Sequence, residues 1–162
     1  MSTLDKNPII TKAGNISDTV HHIDLNQYGL RKVCSAFAFV LPGQNIVIDT
    51  GTSDDARKIL RYFKKHKLDL GKLNYIIPSH FHFDHFGGGW KLWNLIREYN
   101  PKVKVLTTKE TKMQLQDASL HLTRAARTFG ADFVGNMKPL PDHAYEIVDV
   151  DKPISIDSTG DY

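Results

Sequence analysis

Apolar and polar positions change their period along the chain. Residues 19–25 (TVHHIDL) and 33–41 (VCSAFAFVL) are rich in β-branched and aromatic side chains, and the turn formers Pro42, Gly43, Gln44 and Asn45 lead into a third apolar run at 46–49 (IVID). These read as strands in an antiparallel start. After Thr50, Gly51 and Thr52, the residues Ala56, Ile59, Leu60 and Phe63 recur at i, i+3, i+4 and i+7, which predicts a helix with one apolar face. Thr52 and Asp55 have the spacing of a capping box at its start. Gly71 resets the chain, and 75–77 (YII) reads as a short strand buried on both faces, stopped by Pro78. Leu92, Leu95, Ile96 and Tyr99 predict a second helix that stops at Asn100-Pro101. Residues 103–106 read as a strand, and 109–129 as one mostly helical stretch with Ala118, Leu122, Ala125 and Phe129 on one side and Gly130 as terminator. Residues 145–156 suggest one or two short strands. Strands and helices alternate after residue 45, which predicts an α/β architecture.

Composition narrows the class. A length of 162 residues fits one domain, and 41% hydrophobic with 24% charged residues is the balance of a folded chain rather than a disordered one. No apolar stretch approaches the ~20 residues of a membrane span, and residues 1–10 lack the pattern of a secretion signal. A cytoplasmic protein with no membrane partner is expected. Cys34 is the one cysteine, so an internal disulfide and a cysteine-based zinc site are both excluded. Any metal must be held by histidines and carboxylates. The net charge of +3 is too small to point to nucleic acid, and the basic residues between Arg57 and Lys72 read as the solvated face of the first helix. Cys34 reads as a buried small side chain, and Trp90 and Trp93 as packing residues.

Chemistry concentrates at one place. His80, His82, Asp84 and His85 lie within six residues, between a strand end and the run Gly87-Gly88-Gly89. All four are side-chain types that bind a borderline divalent ion such as zinc. In extended chain, residues two apart point the same way, so His80 and His82 can converge on one ion, while Asp84 and His85, past the bend, can reach a second.

HFHFDH is an instance of the His-x-His-x-Asp-His signature, and the chain resembles the N-terminal half of the metallo-β-lactamase fold superfamily over about residues 19–110. The segment 46–51 (IVIDTG) looks like the strand and turn that precede the signature in that family, and Phe83 before Asp84 resembles its lactonase-like and glyoxalase II-like branches. The resemblance implies an αββα sandwich of two similar halves with up to two zinc ions at one edge of the paired sheets, iron or manganese being alternatives. It places His80 and His82 on the first ion, Asp84 and His85 on the second, and Asp49 behind the metals. The implied reaction is hydrolysis, with metal-bound hydroxide attacking an ester, thioester, lactone or amide carbonyl and Asp84 orienting it or assisting the leaving group. An iron-dependent persulfide dioxygenase of the same superfamily is the alternative enzyme.

One departure matters. The Gly-His motif, the bridging Asp and the C-terminal His that complete such sites are not found in 1–162, and His121 and His143 read as exposed or lid residues. The whole of 1–162 therefore reads as a single domain truncated before its C-terminal half. Expected with it are a homodimer, or a chain carrying the missing half, and a small-molecule substrate; a non-catalytic half is the third reading.

Overall fold

The computed structural model describes residues 12–149 and 151–152. The three apolar runs near the N-terminus form an antiparallel meander of β2 (Val20–Asp24), β3 (Ser35–Val40) and β4 (Asn45–Ile48), in which Phe39 lies opposite both Val20 and Ile46. A two-residue edge strand, β1 (Gly14–Asn15), pairs with β2 and is too short to leave a period in the sequence. Beyond β4 the sheet turns parallel through β5 (Leu73–Ile77), β6 (Lys104–Thr107) and β7 (Tyr145–Ile147), and the strands lie in chain order. Parallel neighbours cannot be joined by a hairpin, so each connection carries helices. Helix α1 (Ala56–Lys65) links β4 to β5, α2 (Phe83–Phe86) and α3 (Gly89–Ile96) link β5 to β6, and α4 (Lys109–Gln116), α5 (Ser119–Phe129) and α6 (Ala131–Val134) precede β7.

The two faces of this mixed sheet differ. Strand residues alternate sides, and one side presents Ile23, Ala36, Ala38, Val47, Ile76 and Val105 to the helices, where they join Ile59 and Phe63 of α1 and Leu92, Trp93 and Ile96 of α3 in one buried core. Trp93 fits there because its indole N–H donates to the Val103 carbonyl at 3.0 Å, leaving no buried donor unpaired. The other side carries Phe37, Phe39, Ile48, Tyr75 and Ile77, neighbours by register and only half-buried, around a buried Ile46, and none of the six belongs to that core. Residues 75–77 are therefore not buried on both faces, as their apolar run suggests. Ile76 is fully covered, whereas Tyr75 and Ile77 are not.

Two helix expectations change in detail. The stretch 109–129 is broken at Asp117, whose carboxylate accepts the Ser119 amide at 3.2 Å and the Ser119 hydroxyl at 2.6 Å, a local bond that competes with helix continuation. At the start of α1, Asp55 accepts the Thr52 amide at 2.9 Å, the reciprocal half of a capping box, but the Thr52 hydroxyl donates to the same carboxylate at 2.8 Å instead of capping the helix. Only 145–147 of the suggested C-terminal strands fall on β7; residues 153–156, like the N-terminal residues 1–10, lie outside the described residues.

Candidate metal centre

β4 and β5 end side by side, so the chain leaving Ile48 and the chain leaving Ile77 emerge at the same edge, the carboxyl end of the parallel strands. That edge is where open α/β sheets place ligands. Asp49 anchors it. Its amide donates to the Ile77 carbonyl at 2.9 Å, and its backbone takes a left-handed φ of 63°, uncommon for a residue with a side chain but tolerated by Asp. This turn aims the carboxylate at the motif, where it accepts the Ser79 amide at 2.8 Å, the Ser79 hydroxyl at 2.7 Å and His85 Nδ1 at 3.0 Å. An ionised carboxylate only accepts, so the proton of neutral His85 sits on Nδ1 and its Nε2 lone pair is left free.

The next residues lock the motif in place. The His85 carbonyl accepts the amides of Thr50 at 2.7 Å and Gly51 at 2.9 Å, and the Gly88 amide donates to the Gly51 carbonyl at 2.8 Å. Gly51 has φ +66°, and a Cβ there would lie 2.6 Å from Asp55 Oδ2; a Cβ on Gly88 would strike the Thr52 carbonyl oxygen. Both positions thus require glycine for the two segments to approach. His82 is extended (φ −63°, ψ 148°) and its carbonyl accepts the amides of His85 at 3.1 Å and Phe86 at 2.8 Å, which starts α2. The bend read from the sequence is this helix start.

The four motif side chains come together. The ring of His80 lies 4.7 Å from that of His82 and 4.1 Å from that of His85, and His85 Nε2 lies 3.7 Å from Asp84 Oδ2. His80 Nδ1 is within 3.0 Å of the Ser79 hydroxyl, so His80 and His85 each have one ring nitrogen on an oxygen partner and the other available. This is the pattern of metal-binding histidines, in which the second nitrogen is oriented by an acceptor. Burial and the neighbouring His85 and His82 hold the His80 pKa below its ordinary value, which favours the neutral, donating imidazole. The donor set therefore fits a zinc-type ion in residue type and in orientation of the second nitrogens. Among the described residues, however, no three such side chains are arranged to hold an ion as they stand, because the rings pack on one another instead of converging on a point.

Three further residues meet the motif without a signal in the sequence. His121, on α5, stacks on His82 at 4.7 Å with the planes 11° apart, and its Nε2 accepts the Phe83 amide at 3.2 Å. It is thus a half-buried neighbour of the motif and not an exposed residue. Gln27 is buried and donates from Nε2 to the Asp84 carbonyl at 2.9 Å and to Asp55 Oδ2 at 3.3 Å. Cys34 Sγ donates to the same Asp84 carbonyl at 3.2 Å; burial, with Asp55, Asp49 and Asp84 nearby, pushes its thiol up to about 12, so it is a packing and tethering group and no nucleophile. His143 lies away from the site, its ring 5.7 Å from Trp93.

A cleft of about 640 Å³ opens beside His82 and Asp84, between the residues 27–33 loop and helices α5 and α6. A family profile described as the metallo-beta-lactamase superfamily matches residues 30–134. The chain belongs to the metallo-beta-lactamase superfamily. Among solved structures it is similar to MEM-A1, a subclass B3 metallo-beta-lactamase from a soil metagenome library, with a TM-score of 0.61 and 19% identity over 88% of this chain and 46% of that one. It is also similar to a B3 metallo-beta-lactamase described as the first with an active-site glutamic acid (TM-score 0.61, 14% identity, 84% and 45% covered) and to the Cronobacter sakazakii enzyme with an HARLDQ motif (0.54, 19%, 82% and 45%). The chain thus spans less than half the length of these structures, and at such identities the likeness is one of fold. Curated protein sequences give no match. No helix among the described residues of this chain is long and apolar enough to cross a membrane.

Proposed function

We propose that this chain carries the metal-binding half of a metal-dependent hydrolase acting on an ester, thioester, lactone or amide. The observation that carries the reading is the tether from Asp49 to His85 Nδ1 at 3.0 Å, which turns the free nitrogen of His85 to the side where His80 and Asp84 lie. His80 and His82 would hold one ion and Asp84 and His85 a second; zinc suits this donor set, and iron or manganese are the other candidates. A bound ion there supplies Lewis acidity toward the carbonyl and lowers the pKa of water. The protein's own groups do the rest. Asp49 fixes the tautomer and rotation of His85, Ser79 does the same for His80, and the Asp84 carboxylate, 39% exposed and lining the cleft, would accept or return a proton.

A catalytic zinc commonly has three protein ligands and one open position, and this motif offers each ion two. The half-buried outer sheet face of Phe37, Phe39, Ile48, Tyr75 and Ile77 also calls for a cover, since an apolar sheet face is stable only against a second layer. Both needs are met by a polypeptide carrying a second sheet layer and further ligands, and we take that as the partner. The test is reconstitution: the chain is mixed with a separately produced C-terminal half from a full-length superfamily hydrolase, and zinc retention and hydrolysis of a thioester and lactone panel are measured. Joint recovery of both supports the proposal. A chain that alone is a monodisperse monomer, keeps two zinc ions through dialysis and hydrolyses the panel contradicts the need for a partner, and iron retention with oxygen uptake contradicts hydrolysis.

A further inference from the structure

The cleft beside the motif has an unusual lining. Tyr28, Val33, Leu120, Phe129 and Phe133 are 42%, 55%, 62%, 60% and 49% exposed, and all five border this one cleft. They account for half of the ten large apolar side chains most exposed on the described residues. Scattered apolar exposure needs no explanation, but a contiguous patch marks a binding surface. Its inner end is chemical: His82, Asp84 and His121 line it, with Phe81 and Phe83 beside them.

The cleft also has a direction. On α5 the lining residues Leu120, His121, Arg124, Ala125, Thr128 and Phe129 follow one helix face, so the wall runs from His121, stacked on His82, outward to Phe129. Eight residues at the helical rise give a wall of ~12 Å. Phe83, Ala125 and Val134 form a small apolar cluster against it, and the Tyr28 hydroxyl donates to the Phe133 carbonyl at 2.8 Å, with the two rings edge-on at 5.2 Å. Of the charged groups on it, Asp117 is occupied by Ser119, Asp84 belongs to the motif, and Arg124 stands on the α5 face between His121 and Phe129.

We propose that this cleft receives the apolar arm of the substrate, so that the substrate is a carboxyl derivative with an extended alkyl or aryl chain, its carbonyl at His82 and Asp84 and its arm along α5 toward Phe129. This rests on the hydrolase reading only for where the carbonyl sits. Small acyl groups such as acetyl would leave the wall in water and gain nothing from it.

The test uses the metal-free chain and a series of straight-chain methyl ketones from 2-hexanone to 2-dodecanone, which carry a carbonyl and an arm but cannot be hydrolysed. Binding is followed by calorimetry on the wild type, on Leu120→Asp and Phe129→Asp, and on Met113→Asp, which alters a side chain 61% exposed that lies outside the cleft. The proposal expects affinity to rise about two- to fourfold with each added methylene until the arm outgrows the wall. It further expects that slope to fall in both cleft variants and to persist in Met113→Asp. An affinity independent of chain length overturns the proposal, as does a slope unchanged in the cleft variants. So does sedimentation in which Leu120→Asp and Phe129→Asp dissociate a self-associated chain that saturating ketone leaves intact, the mark of a second copy in the cleft. Because no metal is present, these outcomes are independent of whether the motif loads zinc or the loaded site hydrolyses anything.

Discussion

Asp49 is the residue on which the site's geometry turns. Its left-handed backbone and three accepted hydrogen bonds set the rotation of His85 and the path of Ser79. Asn tolerates the same backbone region, so Asp49→Asn should keep the fold. Its amide nitrogen would face donors, and zinc affinity should fall about ten- to a hundredfold, as for other groups that orient metal-binding histidines. A chelator-competition titration giving wild-type affinity would reduce Asp49 to an ordinary turn residue. The four motif residues stood out in the sequence by their types and spacing, and Asp49 only through the family resemblance. His121 and Gln27 were not: one is a histidine in a helical run, the other a glutamine in a loop, and only the tertiary fold brings them to Phe83 and Asp84.

At the scale of elements, the junction between the β4 turn and α2–α3 leaves no room. Gly88→Ala would drive a methyl group into the Thr52 carbonyl and should cost about 1–3 kcal/mol, read as a lower urea midpoint with unchanged slope. An unchanged midpoint would show that the junction can shift freely. Between β2 and α1, burial and then the nearby His66 lower the pKa of His21, whose ring meets the Tyr62 hydroxyl at 3.1 Å. A histidine with a lowered folded pKa takes up more protons when unfolded, so stability falls as pH drops below the ordinary value of 6.5. His80 and His121 are lowered in the same direction, so His21→Gln should flatten part of this acid loss and not all of it. Urea midpoints between pH 7.5 and 5.5 with the same slope in wild type and variant would contradict it. The strands other than β1, and helix α1, were readable from apolar period alone. The break at Asp117 was not, because a side chain competing for a backbone amide leaves the helical period of 109–129 intact on either side.

The described residues form a seven-stranded sheet with helices packed on one face and an apolar opposite face that, Ile46 apart, is only half-buried. That asymmetry escaped a reading of 75–77 as doubly buried, since an apolar run states what a strand can bury and not what is present to cover it. The chain alone should therefore self-associate. Phe39→Lys, which places a charge at the centre of the outer face opposite Ile46, should shift sedimentation toward monomer without lowering the unfolding free energy by more than about 1 kcal/mol. A wild type that sediments as a monomer at all concentrations would contradict the account of that face.

The central claim is that HFHFDH is a metal site. Its most direct test is zinc affinity by competition with a chromophoric chelator, with total metal by atomic emission, for wild type, His82→Ala and His143→Ala. Removing the His82 imidazole takes away one of two nitrogen donors to the first ion, so affinity and metal retained should drop at least about tenfold. His143, beside Trp93 and away from the motif, should be silent. Equal zinc affinity and stoichiometry in wild type and His82→Ala would contradict the assignment.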